Sequence, residues 1–142
     1  MGKLKILIIL VLVVASAGAG AFFFLGKDAE GSSDKEEKQP SAEELAAMSI
    51  DTDIITTNLA SPNFGIVQFN ILLDSEKAKE EAEKRTPEVR AAVISTVAGF
   101  TKEELVGADG IATLEAQLKE KLADIMQTGK VERVLVTEFK VQ

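Results

Sequence analysis

Residues 64–73 read FGIVQFNILL. Val67, Phe69, Ile71 and Leu73 point to one side of an extended chain, with Gln68 and Asn70 on the other. That period of two predicts a half-buried strand. Such a strand needs neighbours in a sheet and an apolar layer over its buried face. Just upstream, TTNLASPN (56–63) carries Pro62 and Asn63, which supply turn chemistry, and Asn58 and Ser61, whose side chains can bond nearby backbone. The stretch therefore predicts a corner. It is no sugar acceptor, because Leu59 and Ala60 follow Asn58 where glycosylation needs Asn-x-Ser/Thr. Before the corner, SIDTDIITTNL (49–59) is rich in β-branched residues and predicts an extended segment. Ser41-Ala42-Glu43-Glu44 has the capping-box form and opens a short helix, SAEELAAM.

Downstream of the strand the pattern turns helical. SEKAKEEAEKR (75–85) consists of good helix formers, and its alternating charges read as a solvated face with i,i+4 pairs. Thr86 is expected to cap a second helix with Pro87 at its first position, where the missing N–H is harmless. Val89, Val93 and Val97 form that helix's apolar stripe, and Gly99 suits its C-terminal cap. Thr101-Lys102-Glu103-Glu104 repeats the capping-box form and predicts a short helix ending near Gly107. A longer helix follows Asp109-Gly110, with Ile111, Leu114, Leu118, Leu122 and Ile125 at helical spacing, and stops at Gly129. VERVLVTEFKVQ (131–142) predicts a last strand. Extended segments, then several helices, then a strand make the fold class α+β: a small sheet with helices packed on it.

The chain of 142 residues contains no His, Cys, Trp or Tyr. The usual general base near neutral pH is missing, as are the normal ligands of zinc, haem and iron–sulfur centres. A net charge of −7 with interleaved basic residues argues against nucleic acid, which needs a clustered basic surface.

From Ile6 to Leu25 the chain reads ILIILVLVVASAGAGAFFFL, twenty uncharged residues. As a helix they reach about 30 Å, the thickness of a bilayer's hydrocarbon core. Ile6, Leu10, Val14, Phe22 and Leu25 are expected to anchor the chain in lipid. Lys3 and Lys5 precede the run while Asp28 and Glu30 follow it, so residues 1–5 are placed in the cytoplasm and the rest outside. Ala15-Ser16-Ala17 also has the form that signal peptidase prefers, but the apolar run continues through AFFFL, which favours an uncleaved anchor. Residues 26–40, GKDAEGSSDKEEKQP, lack large apolar side chains and predict a flexible tether. Residues 41–142 have the size of one small domain.

Taken in order, the anchor, the acidic tether, ITTNL (55–59) and the alternating strand resemble the flagellar basal-body-associated FliL family. So do TPEVRAAVISTVAGFTKEEL (86–105), DGIATLEAQLKEKLADIM (109–126) and the closing VLVTEFKVQ. The resemblance implies a single-span protein of the cytoplasmic membrane at the basal body of the bacterial flagellum. It implies an outer domain similar to the stomatin/prohibitin module, and homo-oligomeric rings around stator units of the MotA/MotB type. It also implies a non-enzymatic accessory role in flagellar rotation, motility and chemotaxis, with no cofactor, metal or small-molecule substrate. Thr57, Asn58, Leu59, Pro87, Gly110 and Gln142 fall in the resembling segments as a structural signature.

Rival readings compete with this one. A Ser–Lys hydrolase needs no His, but Ser49, Ser61, Ser75 and Ser95 have no glycine-rich elbow around them. Paired carboxylates suit a glycosidase, yet in so acidic a chain pairs arise by chance. Asp51-Thr52-Asp53 lacks the loop glycine and terminal glutamate of a calcium site. A generic membrane-tethered adaptor or chaperone shares the anchor, tether and acidic domain, and only the family resemblance separates it.

Overall fold

A computed structural model of the chain describes residues 39–142. The predicted anchor (6–25) and nearly all of the tether (26–40) lie outside the described residues. In chain order the elements are α1 (Ala42–Ala47), β1 (Ser49–Asp51), β2 (Ile55–Asn58), β3 (Phe64–Leu73), α2 (Glu76–Lys84), α3 (Thr86–Val97), α4 (Gly107–Ile125) and β4 (Val131–Val141). The class is α+β, with a small antiparallel sheet, as the alternation and helical spacings predict. Among the described residues no helix is long and apolar enough to cross a membrane.

β3 is the centre of the sheet. It pairs antiparallel with β1 and β2 along one edge and with β4 along nearly its whole length on the other. Val67, Phe69, Ile71 and Leu73 are buried against the helices. Gln68 and Asn70 on the opposite face are half-buried and hydrogen-bonded, to Thr52 O at 2.9 Å and Asp51 Oδ1 at 2.8 Å. The extended segment predicted over 49–59 is split in two. Asp51 pairs with Asn70 and Ile55 with Val67, so three residues oppose two and form a bulge. Thr52 holds the break together: its N–H donates to Phe69 O, and its hydroxyl accepts from the Phe69 N–H at 3.0 Å.

Over the buried face lie α3, through Val89, Ala92, Val93 and Val97, and α4, through Gly110, Leu114, Leu118 and Leu122. Ala78 and Ala82 of α2 complete the layer, their small side chains letting an otherwise charged helix approach the sheet. The two capping boxes form, with different results. Ser41 and Glu44 exchange bonds and start α1. Thr101 and Glu104 also exchange bonds (2.8 and 3.3 Å), but they close a single turn with long i→i+3 contacts instead of the predicted helix. Thr86 is no cap. α2 runs through Arg85 almost directly into α3, so no free helix start awaits it, and its hydroxyl donates back to Glu83 O at 2.6 Å. Gly99 keeps a negative φ. Gly107, the first residue of α4, and Gly129, between α4 and β4, take the left-handed conformation instead, with φ +76° and +73°.

Candidate functional site

The signature residues sort to two ends of the domain. At one end, Thr57 and Asn58 belong to β2 and pair with Gly65 and Phe64, so the corner itself is only Leu59–Asn63. That turn is held from three directions. Leu59 N–H donates to Asn63 O and Ala60 N–H to Phe100 O, both at 2.9 Å. Ser61 Oγ accepts from the Lys102 N–H at 2.9 Å. Gln142 exchanges both backbone bonds with Phe64, and its carbonyl also accepts from Asn63 Nδ2 at 3.3 Å. Leu59 is buried beside Gly65 and Val97: a Cβ on Gly65 would stand 3.2 Å from each.

The α3–α4 loop rests on this corner. Phe100 and Leu105 are buried, and the Thr101 N–H, then its hydroxyl, hold the Glu104 carboxyl below the usual glutamate range. Gly110, in the first turn of α4, lets the helix lie directly on the backbone of Glu104 and Leu105. The result is a rigid pole carrying two large apolar side chains in solvent, Phe64 at 54% exposure and Val106 at 70%. Isolated exposed apolar residues are ordinary. Two on a loop cluster this heavily cross-bonded make a candidate contact surface, because their positions are fixed before any partner arrives.

At the other end sits Pro87, exposed at the α2–α3 junction. A cleft of about 240 Å³ opens here between the bulge and α3, floored by Ile55, Ala82 and Val89 and rimmed by Asp53 and Arg90. Exposed Ile54 stands beside it. Close by, Glu81 makes a contact that the i,i+4 reading of this helix missed. Its carboxylate accepts from Arg85 Nε (2.7 Å) and from the consecutive N–H groups of Gln127 (3.0 Å) and Thr128 (2.6 Å), tying α2 to the α4–β4 loop. Desolvation pushes the Glu81 carboxyl up, but the bonds from Gln127, Arg85 and Thr128 outweigh it and hold it below its usual value. Glu81, then Glu88, hold the Arg85 guanidinium above its own. Lys84–Glu80 behaves as the predicted exposed i,i+4 pair, and Lys79–Glu83 is a second i,i+4 pair with Lys79 half-buried. The one signal for Glu81 in the sequence is its place beside Ala78 and Ala82, the only uncharged residues in EKAKEEAEK.

The rival sites can be read the same way. Lys121 Nζ donates to Ser95 Oγ at 2.9 Å, a Ser–Lys contact, but both residues are exposed on helices whose N–H groups are engaged within the helix. No desolvated base and no oxyanion donors accompany it. Among the described residues no group of three acidic side chains is placed to hold a metal ion. The anchor residues Ile6, Leu10, Val14, Phe22 and Leu25 lie outside the described residues.

The profile of the flagellar basal body-associated protein FliL family matches residues 49–142, from the first residue of β1 to the end of the chain. A flagellar protein FliL of Bacillus subtilis (strain 168) is 41% identical over 121 residues, covering 85% of this chain and 84% of that one. Another, of Aquifex aeolicus (strain VF5), is 31% identical over 88 residues, 60% of this chain and 55% of that one. The chain belongs to the FliL family. The matched segment contains all four strands, α2, α3 and α4, and every signature residue from Thr57 to Gln142. Both ends described above therefore lie within the FliL-matching part of the chain.

Proposed function

We propose that this FliL-family chain is a non-enzymatic accessory of the bacterial flagellar motor, acting through protein contacts at the basal body. The observation that carries the reading is the match to flagellar proteins over 49–142, which spans the whole sheet and both ends of the domain. The pole with Phe64 and Val106 supports it, as a preorganised apolar contact surface. In this reading residues 1–5 are cytoplasmic, 6–25 cross the cytoplasmic membrane, 26–40 form the tether, and 41–142 lie outside. The outer domains assemble as a homo-oligomeric ring around the stator units, with lipid the only other partner. A chromosomal deletion scored for flagellation and swimming tests the role. The expected result is impaired swimming restored by the full chain; normal swimming by the deletion strain would refute it and favour a general adaptor or chaperone. Ser95→Ala and Lys121→Ala should each complement the deletion fully, and loss of swimming with folded protein present would reopen the hydrolase reading.

A further inference from the structure

Along β3 the backbone groups alternate in direction. Phe64 exchanges both bonds with Gln142, at 2.8 and 2.9 Å, so the even-numbered residues of β3 turn toward β4. Phe69, which accepts from Thr52, turns the other way. The register pairs Asn70 with Leu135 and Leu72 with Arg133. Leu135 and Arg133 thus use their N–H and C=O groups in the ladder, while Val134 and Val136 direct theirs to the outer edge of β4. An outer edge of this kind is a template for another strand.

Two α4 side chains one helical turn apart occupy that edge. Val136 N–H donates to Glu115 Oε1 at 2.8 Å, and Lys119 Nζ donates to Glu132 O at 2.8 Å. The contacts flank Val134 on both sides, and each lies beside a register shift in β4, at Thr137 and at Glu132. One takes a donor and the other an acceptor that an incoming strand would need. The opposite edge of the sheet is interrupted by the Thr52–Ile54 bulge, a different obstacle to the same event.

We propose that Glu115 and Lys119 form a lock on the β4 edge: an autoinhibitory contact that keeps a second copy of this chain from adding its own β4 there. The lock concerns this edge alone and holds whether or not the chains assemble in a ring. Strand addition would have to break both contacts first.

The chain has no cysteine, so Leu135→Cys on the half-exposed face of β4 serves as a reporter in the full chain purified in detergent. Antiparallel pairing of two β4 edges brings the two introduced thiols within reach of a short bis-maleimide. The reporter alone should give little cross-linked dimer. Adding Glu115→Leu and Lys119→Met should raise the β4–β4 association constant about tenfold, since each lost hydrogen bond is worth a factor of a few. Glu115→Gln keeps an acceptor oxygen and should stay at the reporter's level. Equal cross-linking in all three, with unchanged circular dichroism, overturns the proposal. Should the double variant not fold, Lys119→Met alone is decisive, because Lys119 is exposed and its loss leaves the core untouched. A rise of a few-fold supports the lock, and no rise overturns it.

Discussion

Adding a single methyl group at Gly110 sets two known effects of opposite sign against each other. Gly110 lies in the first turn of α4, where replacing glycine by alanine ordinarily gains about 1 kcal/mol of helix stability. Here the new Cβ would overlap the Glu104 carbonyl oxygen and stand 2.9 Å from the carbonyl carbon and Cα of Leu105. Carbon atoms pack best at about 3.5–4.0 Å, so helix and turn would have to part by roughly 0.6–1 Å. All three atoms are backbone, so no side chain can swing aside. The turn is also fixed by the Thr101–Glu104 bonds and by buried Phe100 and Leu105. Overpacking costs about 1–3 kcal/mol; with three backbone atoms in the way the upper part of that range applies, about 2–3 kcal/mol, leaving a net loss of about 1–2 kcal/mol for Gly110→Ala. In a domain near 100 residues that lowers Tm by roughly 5–15 °C. Thermal unfolding of the full chain followed by far-ultraviolet circular dichroism measures it. An unchanged or raised Tm would refute the argument, because it would mean the turn yields more cheaply than the helix gains.

Other substitutions probe the core, the α2 clamp and the tether. Phe69→Asp or Leu118→Asp should abolish folding, since each side chain is fully buried and an unpaired charge there costs several kcal/mol or more; native-like dichroism would contradict it. Glu81 is held below its usual value when folded, so its stabilising contribution is complete above the ordinary glutamate pKa and fades as pH falls toward the folded one. Glu81→Gln should therefore lower stability at neutral pH and reduce the loss of stability on acidification, and parallel stability–pH curves would rule this out. If residues 26–40 act as a spacer of about 20 Å r.m.s. length, scrambling them should preserve swimming while deleting most of them impairs it. Equal swimming by the deletion, at normal protein level, would remove the spacing role.

Much of the fold can be read from side chains that face the core in strict rhythm. β3 alternates because one face meets helices and the other does not, and the α4 leucines recur because one stripe meets the sheet. What stays hidden depends on groups far apart in sequence. Nothing in DTD announces that the Thr52 hydroxyl will stand in for a backbone acceptor opposite Phe69, because that needs β3 already alongside. Likewise Thr56, Thr57 and Asn58 read as a corner beside Pro62, yet the β-branched character of the two threonines suits a strand, and pairing with Phe64–Val67 decides it. The Thr101 box forms as written, but a box only starts a helix; burial of Phe100 and Leu105 ends this one within a turn.

The same division explains why the functional surface is harder to read than the core. Leu59, Gly65 and Gly110 matter through space they fill or leave empty, and that space is bounded by Val97 on α3 and by the Glu104–Leu105 backbone. Gln142 matters through main-chain bonds to Phe64, which any residue could make; only its Asn63 contact involves a side chain, and that side chain belongs to Asn63. Residues of this kind hold the pole still, whereas Phe64 and Val106, which offer the exposed area, look in the sequence like ordinary core. The two groups therefore separate experimentally. Val106→Ser should leave Tm nearly unchanged and act on partner contact, Phe64→Ser should act on partner contact with a modest fall in Tm from its buried half, and Gly110→Ala should act on Tm. A loss of swimming from Val106→Ser at unchanged Tm and protein level would mark the pole as the surface that touches the motor. Full swimming by both serine variants would move that surface elsewhere, with the cleft beside Ile54 and Arg90 next in line.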